Sequence, residues 1–165
     1  MSAKKVSENG LLLALALILS YVESLIPVHF MVPGMKLGLA NLCILVCLYR
    51  YGFKEACVIN FLRVLLIGLM FTNMFSFFYS LSGAVFSLLV MGLMKHFDVF
   101  NIITISVAGG IFHNVGQLLV CVTFFQNENI MFYGPVLFVS GIVTGALIGI
   151  ISAEVLRRVK RQEYK

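Results

Sequence analysis

The sequence predicts an all-α polytopic membrane protein, a bundle of six transmembrane helices. Three observations predict it. Hydrophobic residues make up 61% of the 165 and charged residues only 12%; the mean hydropathy is +1.02; and the apolar residues fall into six runs separated by short polar or proline- and glycine-bearing punctuation. An ordinary soluble domain carries about 25% charged residues, so this composition excludes a soluble catalytic domain. In hydrocarbon the backbone N–H and C=O groups must be satisfied within their own segment, which leaves helices as the reading for runs of this length. Six spans of about 20 residues use nearly the whole chain, 1–165, as a single integral membrane domain.

The spans are expected at 10–27, 35–50, 54–72, 76–95, 100–125 and 134–157. The first, "LLLALALIL" behind Lys4 and Lys5, opens like a signal peptide. It has no small-x-small cleavage site and is interrupted by Glu23, so it reads as an uncleaved helix. The second follows Pro33-Gly34 and carries Cys43 and Cys47, small packing residues with no histidine or carboxylate near them in sequence. "YRYGFK" separates it from the third, and "FTNMFS" separates the third from the fourth, whose opening turns hold Asn73, Ser76, Tyr79 and Ser80. "KHFD" precedes the fifth and "FQNENIMFYGP" the sixth. The sixth places Gly141, Gly145 and Gly149 four residues apart, a small-residue face for close approach of another helix, within the protein or from a partner.

Basic residues set the expected orientation. Lys4, Lys5, Arg50, Lys54, Lys95, Arg157, Arg158, Lys160, Arg161 and Lys165 fall on one side, Lys36 on the other, and Arg63 within the third span. By the positive-inside rule both termini face the cytoplasm across the cell membrane. The net charge of +5 comes from these clusters rather than from a basic stripe interleaved with aromatics, so a nucleic-acid partner is not expected.

A charge at the bilayer centre costs about 2.5–3.5 kcal/mol on insertion scales, so buried polar residues face a cavity or a partner. Arg63 has two readings, an ion pair with Glu23 or a ligand for an anion. Lys36, beside Gly34 and Gly38 on the otherwise cation-poor side, suits an anion at the mouth of a cavity; the alternative is snorkelling to headgroups. Asn41 lies five residues deeper. In "GGIFHNVGQLL", His113 and Gln117 share a helical face and Asn114 adjoins them. Each alone suits interhelical hydrogen bonding, and the three together suggest a cavity. The expected site is therefore Lys36, Asn41, Arg63, His113, Asn114 and Gln117, for an anionic or amphipathic small molecule. No catalytic residue or metal site is expected. There is no Walker A loop, HExxH or GxSxG, and Asp98 is the sole aspartate, so magnesium-assisted prenyl transfer lacks its acidic ligands in this chain.

At "ALALILSYVESLIP", "PGMKLGLANL" and "AGGIFHNVGQLL", over about residues 10–155, the chain resembles the Gx transporter family, also labelled heptaprenyl diphosphate synthase component I. That family is similar to the S components of energy-coupling factor (ECF) transporters. The resemblance implies an S-component-like bundle that captures a vitamin-like or isoprenoid-related molecule at the outer face. It also implies docking, through small residues of the first helix, onto a transmembrane coupling subunit driven by an ATPase pair, which would use ATP; no cofactor is expected in this chain itself. Here Ala14 is followed four residues on by Ile18 rather than alanine, and Ala16 with Ser20 stands in. The enzymatic label implies the alternative, a non-catalytic accessory subunit of heptaprenyl diphosphate synthase.

Overall fold

Helices form where the apolar runs predict them. The computed structural model describes residues 3–25, 38–71 and 73–163. It contains α1 (Ala3–Leu25), α2 (Leu39–Arg50), α3 (Phe53–Phe71), α4 (Met74–His96), α5 (Ile102–Phe125) and α6 (Gly134–Glu163), with a 3-10 turn, Glu128–Tyr133, before α6. Among the described residues there is no strand. Asparagine side chains start two of the helices: Asn73 Oδ1 accepts from Ser76 N at 2.8 Å and Asn101 Oδ1 from Thr104 N at 2.8 Å, each satisfying a first-turn donor that has no partner within its helix.

Lys5–Leu25, Met74–His96, Ile102–Phe125 and Asn129–Val159 are long and apolar enough to cross a membrane. α3, of 19 residues, carries Lys54, Glu55 and Arg63. α2 has only 12 residues, about 18 Å of helix, against a hydrocarbon core of about 30 Å. It begins later than position 35 because Gly38 takes φ 72 and ψ 26, a left-handed geometry that breaks a right-handed helix and that glycine adopts without a Cβ penalty. Residues 26–37, Lys36 among them, lie outside the described residues. α1 starts earlier than position 10, and its first turns are held by Lys5 to Glu55 and by Glu8, which accepts from Tyr51 Oη and faces Arg50 at 3.8 Å. α6 continues past position 157, with Arg158 Nε bonded to Glu154 one turn back at 2.7 Å.

The chain runs up and down. Glu8 meets Arg50 at one end of the α1–α2 pair and Glu23 meets Gly38 at the other. Phe53 packs on Gly92 and Phe77 on Gly68, so α3 and α4 are antiparallel; Gly110 faces Gly141 and Ile103 faces Gly149, so α5 and α6 are as well. Ile44, Leu45, Leu48, Ile59, Met91 and Ile105 build the apolar core among α2–α5, joined by Cys47. Cys43 is fully buried as well.

The glycine face of α6 is occupied by α5. A Cβ at Gly145 would sit 2.7 Å from Val107 Cα, and one at Gly149 2.9 Å from Ile103 Cα. Gly141, Gly145 and Gly149 thus serve contact within the protein. On α1, Ala16 is fully buried, Ser20 is half-buried and Ala14 is exposed.

Candidate functional site

Of the polar residues singled out above, Lys36 lies outside the described residues, and Asn41, Arg63, His113, Asn114 and Gln117 are all buried in the bundle, but not as one group. Asn41 of α2 and His113 and Asn114 of α5 line a cavity together with Gly38, Ser87 of α4, Ser106 of α5 and Thr144 of α6. Its free interior is about 10 Å³, at the threshold for one water. The apolar core lies below it, toward the end of the bundle that holds Lys5, Glu8, Arg50 and Glu55.

Asn114 is a helix bridge. Its Nδ2 donates to Leu137 O at 2.7 Å and Ser140 Oγ at 3.2 Å, tying α5 to α6. Gln117 is wholly buried but turns away from the cavity lining toward α4, where Gly83 has no side chain; a Cβ there would come within 2.9 Å of both Gln117 Cγ and His113 Cε1. Neither amide atom of Gln117, nor Ser87 Oγ in the cavity wall, hydrogen-bonds any described residue. Buried amides and hydroxyls normally find partners, and these atoms have none among the described residues.

Arg63 is buried outside the cavity. Its Nη2 donates to Asn60 Oδ1 at 2.8 Å, while Asn60 Nδ2 donates to Ala84 O at 3.1 Å and so bridges α3 to α4. Glu23 acts electrostatically on Arg63 and accepts the backbone N–H of Gly38, placing a carboxylate at the positive end of the α2 dipole. Arg63 thus has Asn60 as its direct hydrogen-bond partner, which neither reading of the sequence included, while Glu23 influences it through charge and bonds directly to Gly38 N–H. Asn60 had a signal in the sequence: three residues before Arg63, it lies on the same helical face. Ser87, Ser106 and Thr144 had none, because small hydroxyl residues in an apolar span read as packing.

The cavity offers amides, hydroxyls and one imidazole, which suit hydrogen bonding to a neutral group. Among the described residues no three His, Cys, Asp or Glu side chains are grouped to hold a metal ion. A groove of about 210 Å³ between α3 and α4, almost wholly apolar, is the other concavity of note. Several of its walls are exposed, Phe61 and Leu89 among them.

No curated protein and no solved structure matches this chain. A family model, heptaprenyl diphosphate synthase component I, matches residues 12–155, nearly the whole bundle, from α1 through most of α6. The six-helix chain with its buried Arg63, His113 and Asn114 belongs to the heptaprenyl diphosphate synthase component I family.

Proposed function

We propose that this chain is a non-catalytic membrane subunit of heptaprenyl diphosphate synthesis, which holds an anionic isoprenoid amphiphile in the cell membrane for a soluble catalytic partner. Family membership over residues 12–155 supports the pathway. The observation that carries the reading is the interior: a water-sized cavity with no charged side chain among its described lining residues, and a buried cation that is already bonded to Asn60 and influenced by Glu23. Such an interior offers little to a soluble anion, whereas an amphiphile dissolved in the bilayer reaches the protein from the side. With Asp98 as its sole aspartate, the chain leaves metal-assisted prenyl transfer to the partner. Both termini face the cytosol in this reading, where that partner resides.

A second reading is favoured by one observation. α2 begins at mid-height with Gly38, and the nearby Gln117 amide and Ser87 hydroxyl are buried without a described partner. Helix N-termini within the membrane hold anionic substrate groups in transporters, which suits an uptake subunit whose coupling subunit and ATPase pair supply the work. Copurification separates the two. Recovery with a soluble prenyl synthase, and faster synthesis when this chain is added in vesicles, supports the first. Recovery with a coupling subunit and ATPases, and no effect on the synthase, replaces it with the second.

A further inference from the structure

α3 and α4 pack ring on glycine toward both ends, and between these contacts, above the Asn60–Ala84 bond, they leave a groove. At one end the Phe53 ring lies on Gly92, and at the other the Phe77 ring lies on Gly68. The opening is lined from Phe53 to Val64 on α3, about 16 Å at 1.5 Å per residue, so it runs along the helices for about half of the hydrocarbon depth. Its walls are apolar, with Val64 on one side and Leu81, Val85 and Leu89 on the other. On its floor Asn60 is already bonded to Arg63 and Ala84, which closes the groove off from the polar interior. An occupant would thus meet hydrocarbon along its whole length. Charge distinguishes the two ends: Lys54 is exposed next to Phe53, while Lys95, in the last turn of α4, turns its ammonium the other way, onto Leu48 O and the Tyr49 ring of α2. The opposite end begins with Asn73, Met74 and Phe75.

We infer that the α3–α4 groove seats the single apolar chain of an isoprenoid diphosphate, tail toward the Phe77 end and anionic head at Lys54. This deepens the synthase-subunit reading and depends on it. One narrow groove, bounded at one end by the Phe53 ring, suits one chain, and the lysine at that end sets its direction by charge complementarity. The head then emerges at the end of the bundle that carries the basic loops, where a soluble enzyme can reach it.

The test uses the full chain in phosphatidylcholine nanodiscs with geranylgeranyl diphosphate carrying a diazirine at its tail end. Irradiation should label α3 or α4 peptides, and unlabelled farnesyl diphosphate should compete where phosphatidylglycerol does not. Val85→Trp, which fills the groove from its rim, should lower labelling about tenfold or more, and Lys54→Glu about tenfold, the loss of one charge-assisted contact. Leu89→Trp fills the same groove from a more exposed position and serves if Val85→Trp does not fold. Equal competition by phosphatidylglycerol would make the groove a general lipid seat and overturn the inference. Labelling of α2 and α5 around Asn41 and His113 would overturn the seat while leaving the synthase reading standing. Absence of saturable labelling, together with no effect on a soluble synthase, would remove both.

Discussion

The two halves of the bundle are held together by different physics. In α4–α6 the helices meet backbone to backbone. A Cβ at Gly110 would lie 2.5 Å from Gly141 O, and one at Gly116 2.8 Å from Ser82 O; Ser82 Oγ donates across to Gly116 O at 2.8 Å, and Asn114 crosses to α6. In α1–α3 contact is made through long side chains. Phe53 and Phe77 bracket a groove, Lys5 reaches Glu55, and Arg63 reaches Asn60. Only 6% of the best apolar window of α1 is buried, against 39% for α5. A membrane gives helices no hydrophobic reason to associate, so close packing of small residues and interhelical hydrogen bonds supply it. The difference teaches that α4–α6 is built as a scaffold, to which the buried core face of α2 adds, and that α1 and the α3–α4 seam are the more loosely packed side.

Gly110→Leu should break this comparison most severely. The new side chain meets the backbone of α6, which cannot move aside as a side-chain tip can, and overpacking of that kind costs about 3 kcal/mol. Thermal unfolding in detergent should fall sharply and the folded yield with it. Gly10→Leu is the matched control on α1, where a Cβ meets nothing within 4 Å, and its unfolding temperature should stay unchanged. Equal losses in the two variants would erase the distinction between the halves.

Asn60→Leu comes next. It removes the acceptor that Arg63 Nη2 uses and leaves a buried guanidinium short of a partner, at a cost of about 3 kcal/mol. Adding Arg63→Met to it should restore much of the stability, since replacing both members of a buried pair by apolar groups is far less costly than removing one. If the double variant is stable yet no longer retains a ligand that the native protein carries, Arg63 is a binding residue as well as a structural one.

How much of this was readable from sequence follows from the same contrast. The six helices were, because uninterrupted apolar runs admit no other backbone, and the α6 glycine face was, because a spacing of four lines up on one side of a helix. The convergence of Asn41, His113 and Asn114 was readable only as an expectation of depth: polar residues at similar heights in neighbouring spans. Gln117 shares a face with His113, yet it packs toward Gly83 because that glycine leaves room, a fact of three dimensions. The short α2 was hidden too. Among 14 glycines in a membrane chain, nothing marks Gly38 as the one whose positive φ stops a helix at mid-height.

Glu23→Gln should have a smaller effect, about 1 kcal/mol, the worth of a charge at a helix N-terminus. The amide can still accept from Gly38 N–H, so what the substitution removes is the negative charge that acts on both α2 and Arg63. It also separates the two functional readings. In the uptake reading, removing the negative charge at the positive end of α2 should strengthen retention of an anion; in the synthase-subunit reading, prenyl diphosphate labelling of the α3–α4 groove should not change.

The smallest effect belongs to the Lys5–Glu55 pair, which joins the first turn of α1 to that of α3. Its side chains are 34% and 20% exposed, so water and salt screen it, and pairs of this kind contribute about 0.2–1 kcal/mol. A double-mutant cycle with Lys5→Ala and Glu55→Ala should return a coupling in that range that shrinks as salt is raised. A larger, salt-independent coupling would mean that the start of α1 is locked to α3 as firmly as α5 is to α6. The division into a packed scaffold and a more loosely packed side would then have to be redrawn with α1 in the scaffold, leaving the α3–α4 groove as the loose seam.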